Sequence, residues 1–359
     1  MVKNNFKEGV MENFIIKDEN ALYYETGYSC DNALFIAFGD VGYFITDGRY
    51  ETEAKENLKH NKYAISLVIT RDLIRSARAI LKKHEKSTLI YNPQELSAFF
   101  FERLKNGIKI NFIQKPNFHQ QKRMIKTADE IALLEHSQQL NFKAFKKFAK
   151  FLSKKGKSST ESFLHYKSKD FLSHKGAFDL SFNPIVGINA NAAKPHALPS
   201  NDKLHVGDLL LFDAGLKYKR YCSDMTRTGF FGKNGISFKK QQNFTDSKLQ
   251  KIYDIVLKAQ ESAIKGAKPG MLASEVDALA RNVIEKEGFG KYFVHSTGHG
   301  IGLDIHELPN ISQRSKIVLQ EGMVFSIEPG IYIPNYYGVR IEDLVVLEAN
   351  GARIIGETS

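Results

Sequence analysis

The sequence is poor in cysteine, with only Cys30 and Cys222 in 359 residues. Two thiols make no disulfide framework, so a scaffold stapled by bridges is excluded and a reducing, cytoplasmic compartment is the expectation. Long apolar runs are missing too. Nothing approaches the ~18 consecutive apolar residues of a membrane-spanning helix, so no membrane partner is expected. The opening stretch, MVKNNFKEGVMENFIIKDEN, lacks the apolar core of a secretory signal. There is no zinc-finger spacing, no RNP-type aromatic motif, no basic zipper, no short repeat and no low-complexity linker. What is present is ordinary globular composition, 42% hydrophobic and 25% charged, at a length that suggests two domains or one large one.

The formal charge of +11 raises nucleic acid or an acidic partner as a reading. The lysines, however, are spread along the chain. The densest run, NFKAFKKFAKFLSKKGK (141–157), sets Phe142, Phe145, Phe148 and Phe151 three apart with lysines between them. That is an amphipathic helix with a solvated lysine face, and no nucleic-acid partner is expected.

Residues 1–122 read as an α/β domain. ALFIAFGDVGYFITD suggests two strands joined at Gly39-Asp40, YAISLVIT and STLIYN are short apolar strands, and RDLIRSARAILKKH has helical spacing. TDGRY (46–50) is a polar cluster at a strand end. A second domain, 123–359, is expected to open with a long helix over 123–152, capped by Thr127 or Asp129 with Glu130 in its first turn. Everything that looks chemical lies in this second domain.

Its carboxylates come in two pairs. In DLLLFDAGLKYKRYCSDMTRTGFF (208–231), one apolar strand carries Asp213 and the returning strand carries Asp224. In GMVFSIEPGIYIPNYYGVRIEDLVVLE (322–348), the same design carries Glu328 and Glu342. A hairpin sets each pair side by side across neighbouring strands. An aspartate in an apolar strand is costly to bury unless it is paired or binds a cation. Four converging carboxylates therefore call for strong positive compensation, and divalent metal ions supply it. Oxygen ligation with one imidazole suits Mn²⁺, Co²⁺ or Fe²⁺ as well as Zn²⁺. Bridging carboxylates would hold two ions about 3.5–4 Å apart, an arrangement used for hydrolysis.

The stretch VHSTGHGIGLDIHELP adds His295, His299 and His306. His295 and His299 are four apart, like the ligands of a helical zinc site. Glycines at 298, 300 and 302 make a helix improbable there, each costing about 1 kcal/mol relative to alanine. No strand–Gly-rich loop–helix context marks a phosphate loop.

The ordered set FDAG…SDMTRT…HSTGHGIGLDIHE…SIEPGIY…GVRIED resembles the methionine aminopeptidase/creatinase metallopeptidase superfamily. Within it the set is most similar to the Xaa-Pro peptidase branch, aminopeptidase P and prolidase. YYETGYSC and TDGRY resemble the N-terminal domain of that branch, RMIKTADEI its linker helix, and FNPIVGINANAAKPHA (182–197) the segment before the first metal strand. The resemblance implies a small N-terminal creatinase-like α/β domain. After it would come a pseudo-twofold pita-bread catalytic domain with a curved, mainly antiparallel sheet.

The resemblance also implies a ligand set. Asp213 would bind one metal, Asp224 and Glu342 would bridge both, and His299 and Glu328 would complete the other. The ions would be Mn²⁺ first, with Co²⁺, Zn²⁺ and Fe²⁺ as alternatives. Glu328, His295 and His306 would serve the chemistry, and His196, His295, His306 and Arg340 would contact substrate. Only the middle histidine, His299, would then touch metal. The implied activity is that of an Xaa-Pro aminopeptidase, attacking the bond before proline with a metal-bridging hydroxide. Prolidase, cutting only Xaa-Pro dipeptides, is the alternative. Methionine aminopeptidase-like activity and a non-catalytic protein on the same fold stand further off. The implied partners are a peptide with proline at its second position and a second copy of the chain in a homodimer. Arg314 sits where prolidases of one type carry an anchor for the proline carboxylate.

Overall fold

The computed structural model describes residues 12–356. The first eleven residues of the opening stretch, read as lacking a secretory signal, lie outside them. The chain divides into two compact units, Met1–Arg123 and Met124–Ser359.

The first unit contains β1 (Phe14–Ile16), α1 (Glu19–Thr26), β2 (Ala33–Phe38), β3 (Val41–Thr46), α2 (Glu51–Asn57), β4 (Ala64–Ile69), α3 (Leu73–Lys83), β5 (Thr88–Tyr91), α4 (Ala98–Lys105), β6 (Asn111–Gln114) and α5 (Phe118–Arg123). Its six strands form one mixed sheet in the order β4-β3-β2-β1-β5-β6. The β2–β3 hairpin closes at Gly39-Asp40, where Gly39 has a φ of 59°, a conformation that costs glycine no Cβ clash. Alternation along the strands feeds two cores. Phe14, Ile16, Phe35 and Phe44 pack on one face, and Ile15, Leu34, Ile36 and Ile45 on the other. In TDGRY, Thr46 is buried at the strand end, and the exposed Arg49 donates two hydrogen bonds to the Asp47 carboxylate, at 3.0 and 2.8 Å. Among the described residues this unit gathers no group of acids and imidazoles able to hold a metal ion.

The second unit begins with α6 (Ala128–Phe151). The helix starts five residues later than its sequence pattern suggests, because Thr127 caps it, with Glu130 closing a reciprocal capping box. Next come α7 (Glu161–Leu172), β7 (Ile185–Ile188), β8 (Leu209–Ala214), β9 (Lys217–Tyr218), β10 (Tyr221–Cys222), β11 (Met225–Phe230), α8 (Ser247–Gly266), α9 (Ala273–Lys286), β12 (Gly298–Gly300), β13 (Glu307–Ile311), β14 (Val324–Ile327), β15 (Gly330–Ile333), β16 (Tyr337–Arg340), β17 (Asp343–Glu348) and β18 (Gly351–Ile354). Two helices followed by antiparallel strands occur twice, giving the two related halves of a pita-bread fold. The first half carries the sheet β11-β8-β7 and the second β13-β12-β14-β17-β18. Every strand pair in this unit is antiparallel.

The buried face of α6 changes character along its length. Ser137, Gln138 and Asn141 donate to the carbonyls of Leu216, Asp224 and Ala214 at 3.1, 2.7 and 2.8 Å. One and two turns on, Phe145 and Phe148 pack on Phe212, with ring centroids 4.3 and 4.7 Å apart. The polar half pins the connection between β8 and β11, while the aromatic half anchors the helix to the sheet. Phe148 is fully buried, so Phe148→Ala is expected to cost about 3–5 kcal/mol in chemical denaturation. The lysines between these rings stay at the surface.

Candidate metal centre

Strand register explains how the acids meet. In the β8–β11 ladder Asp213 lies opposite Thr226. Asp224 is two residues back on the same face, so the first acid pair is diagonal rather than side by side. In the second half Ile327 pairs with Asp343. One step further along that register brings Glu328 opposite Glu342, with the β15–β16 hairpin between them in sequence. The two halves are stitched together beside these acids. Glu342 N–H donates to Thr226 O at 3.1 Å, Thr226 Oγ1 donates to Glu342 Oε2 at 2.7 Å, and Thr228 Oγ1 donates to Arg340 O at 3.0 Å.

His299 arrives on β12, between β13 and β14 in the five-stranded sheet. The stretch that resembled a helical histidine pair is thus no helix: His295 lies in a bend and only His299 is on the short strand β12. Its glycines are required by contact, since a Cβ on Gly298 would lie 1.8 Å from Ser326 O and one on Gly300 2.2 Å from Leu308 O. The backbone runs that close so that His299 Nε2 reaches Glu328 Oε1 at 3.2 Å and Asp224 Oδ2 at 3.6 Å.

One cavity of about 650 Å³ is lined by Asp213, Asp224, His299, Glu328 and Glu342, and by His196, His295, His306 and Arg340 as well. The nine residues that the resemblance assigned to metal and substrate therefore share it. Arg314 is exposed and lies outside that lining.

The donor set fits a cation site. Asp213, Asp224 and Glu342 are 7%, 4% and 1% exposed, yet Asp213 Oδ1, Asp224 Oδ1 and Glu342 Oε1 have no hydrogen-bond partner. Buried carboxylate oxygens left unpaired are costly, and a metal ion removes the cost. One ligand atom from each of Asp224, His299 and Glu342 lies within 4.8 Å of the others. The His299 tautomer agrees. Nδ1 faces the Gly300 carbonyl at 3.0 Å, and a carbonyl only accepts, so Nδ1 carries the proton. Burial opposes it, but the Glu328 hydrogen bond and charge raise His299 above its usual value, so in the absence of an ion Nε2 is held protonated toward Glu328, at the place where a bound cation would substitute for that proton.

Electrostatics show the same strain. Burial, then the neighbouring carboxylates, push Asp224 and Glu342 well above the usual carboxylate range, and burial raises Asp213 as well despite the Arg340 charge. Burial also acts to raise Glu328, but the His299 hydrogen bond and charge outweigh it and bring it down to about 2. Next door, Asp343 shows a satisfied buried acid. Its carboxylate takes Arg227 Nη2 at 2.6 Å, Lys240 Nζ at 2.7 Å and Gln260 Nε2 at 2.8 Å. Burial acts to raise it, but Arg227 and Lys240 hold it below its ordinary value.

Residues 132–349 match the model of metallopeptidase family M24, and residues 2–125 match that of the creatinase/prolidase N-terminal domain. The chain belongs to metallopeptidase family M24. The M24 chain is 33% identical to an uncharacterized peptidase of Bacillus subtilis (strain 168), over 99% of this chain and 96% of that protein. Its fold is similar to that of an Xaa-Pro dipeptidase from Bacillus anthracis, with a TM-score of 0.87 and 32% identity over 97% of this chain and 93% of the other. It is similar too to an X-Pro aminopeptidase from Thermotoga maritima MSB8, with a TM-score of 0.84 and 28% identity over 97% and 96% of the two chains. Divalent metals are the cofactors of this family. Among the described residues no helix is long and apolar enough to cross a membrane.

Tyr332 and Ser326 carried no signal of their own in the sequence, and they link residues that did. Arg340 donates to Asp213 Oδ2, to Tyr332 Oη (both 2.6 Å), to Thr226 Oγ1 (3.0 Å) and to Pro195 O (3.3 Å). Tyr332 in turn contacts His295 Nε2 at 2.9 Å. His295 Nδ1 faces the Ser296 carbonyl at 2.7 Å and so holds the proton, leaving Nε2 to accept from Tyr332. Ser326 Oγ donates to Glu328 Oε1 at 3.0 Å and accepts from His299 N–H at 3.0 Å. Tyr332 and Ser326 sit in apolar runs, where alternation marks them only as strand positions. Tyr332→Phe breaks the Arg340–Tyr332–His295 chain, and kcat is expected to fall about tenfold with the metal content unchanged. Steady-state kinetics beside metal analysis checks this. Cys222 stays out of the chemistry, since burial pushes its thiol up to about 12.

Proposed function

We propose that the chain is a dinuclear-metal exopeptidase that hydrolyses the bond between an N-terminal residue and proline, with 1–122 as its creatinase-like domain and 123–359 as its catalytic domain. The observation that carries the metal reading is the trio of buried, unpartnered carboxylate oxygens around His299. Asp213, Asp224, His299, Glu328 and Glu342 would hold the ions, with Asp224 and Glu342 shared between them. Mn²⁺ is the first choice, with Co²⁺, Zn²⁺ and Fe²⁺ as alternatives. Bound there, the ions supply Lewis acidity and a water acidified toward neutral pH. The names of the relatives support proline specificity, and one dipeptidase and one aminopeptidase among them leave chain length to the residues at the pocket mouth.

The side chains then divide the work. Ser326 and His299 fix Glu328 Oε1, leaving Oε2, 4.0 Å from Arg340 Nε, to carry a proton toward the leaving proline nitrogen. Both ring nitrogens of His295 are engaged, so His295 positions Tyr332 and the pocket wall. His306, exposed to the cavity with its ring 4.3 Å from that of His299, is an imidazole free to donate to the scissile carbonyl oxygen. Burial and the His299 and His196 charges hold His306 below its usual value although Glu328 opposes them, so it works as a neutral donor at pH 7. Arg340 is committed to Asp213 and neutralises the acid cluster.

The substrate's free amine is drawn to this acid-rich end, which accounts for an exopeptidase. The enzyme works in the cytoplasm as a homodimer. Mn²⁺-, Co²⁺- and Zn²⁺-loaded protein offered Xaa-Pro, Xaa-Pro-Yaa and Met-Ala peptides tests the reading. Hydrolysis confined to bonds before proline is the expected result, and preferential cleavage of Met-Ala would overturn it.

A further inference from the structure

The cavity is chemically lopsided. Its acids are the four carboxylates of the metal centre, and its wall is apolar, formed by Phe182, Pro184, Ile185, Pro195, Leu198 and Pro199. Two permanently charged cations line it, Arg340 and Lys169. Arg340 is used up in its bond to Asp213. Lys169 is different. It stands in the last turn of α7, half-buried, and its Nζ donates to Asn183 Oδ1 at 3.0 Å. Among the described residues no carboxylate lies within ion-pair distance of it. His165, one turn earlier on the same helix face, lines the same cavity. Lys169 therefore keeps two N–H donors and a full charge for something that enters the pocket.

A dipeptide is a zwitterion. Its ammonium belongs at the acid-rich metal centre, and its carboxylate sits on the proline, a single residue beyond the scissile bond. In a longer peptide that carboxylate is replaced by a neutral amide. We propose that Lys169 binds the substrate's terminal carboxylate, so that this chain selects Xaa-Pro dipeptides over longer Xaa-Pro peptides. The inference rests on the proline-specific reading above. It assigns the anchor to α7 and not to Arg314, which does not line the cavity. Asn183 holds the ammonium in place, and a charge-assisted hydrogen bond to a carboxylate is stronger than one to a neutral amide.

The test compares Ala-Pro with its C-terminal amide, on metal-loaded wild type, Lys169→Gln and Lys169→Arg. The wild type is expected to show a KM about tenfold lower for the acid than for the amide. Lys169→Gln collapses that preference to about one, mainly through KM, and Lys169→Arg restores most of it. A Lys169→Gln protein that keeps the wild-type preference overturns the anchor, as does a wild type that treats acid and amide alike. Hydrolysis of the amide by the same variant reports that it is folded. A wild type that cleaves neither compound removes the proline reading and this inference with it. Cleavage without discrimination removes the inference alone.

Discussion

Glu342→Ala and Asp224→Ala proteins are expected to lose essentially all hydrolysis, with kcat/KM down by at least about 10³-fold. Each residue offers an unpartnered, buried oxygen to the metal centre, and each comes from a different half of the fold. In the proposed two-metal centre each is a shared ligand, so removing one would affect both ions together. The companion variant Glu342→Gln separates this from damage to the fold, because it keeps the volume and removes only the charge. Glu342 is pushed up by burial and by Glu328 and Asp213 nearby. In chelator-treated protein Glu342→Gln should therefore melt no lower than wild type, although it is inactive when metal is restored. Near-normal turnover in the alanine variants contradicts the two-metal centre. A marked fall in the melting temperature of chelated Glu342→Gln contradicts the view that the charge is a burden without metal.

Metal removal should have the second largest effect, and it should depend on pH. Chelation is expected to abolish activity, and divalent ion to restore it. The raised carboxyls of Asp213, Asp224 and Glu342 set the sign. A raised acid contributes its stability in full below its unfolded value, about 4. That contribution is lost as pH rises through the folded value. Chelated protein should thus lose melting temperature from these groups as pH climbs above about 4. Glu328, brought down to about 2, acts in the opposite sense, and its contribution is lost only as pH falls from its unfolded value toward that acid range. Bound ions favour the ionised carboxylates, so the gain in melting temperature on adding Mn²⁺ should widen from pH 5 to pH 8. Calorimetry with and without chelator across that range checks it. A gain independent of pH would mean that these carboxylates do not take up the ions.

The sequence alone determined a good deal. Apolar strands with an acid at their ends, repeated in two places, already implied a shared cation site, because a buried carboxylate cannot stand alone. Glycines around His299 argued against a helix, and a Cβ at Gly298 does collide with the Ser326 carbonyl. The hairpin at Gly39-Asp40 and the Thr127–Glu130 cap were legible from local turn and capping chemistry. These are features set by neighbours in the chain.

Tertiary structure decided the rest. The first acid pair is diagonal, because Asp213 is in register with Thr226. Glu342 and Asp343 are adjacent acids of similar chemistry in one buried strand segment. One leaves an oxygen unpartnered toward His299, and the other is surrounded by Arg227, Lys240 and Gln260. No local pattern separates them, because their difference lies in which sheet face each meets and what other segments bring there. The same holds for the Arg340–Tyr332–His295 chain and for Lys169, whose cavity is built from segments more than a hundred residues apart. Spacing within a segment shows which side chains share a face. Only the packed fold shows which charges are already answered and which are left for a metal ion or a substrate.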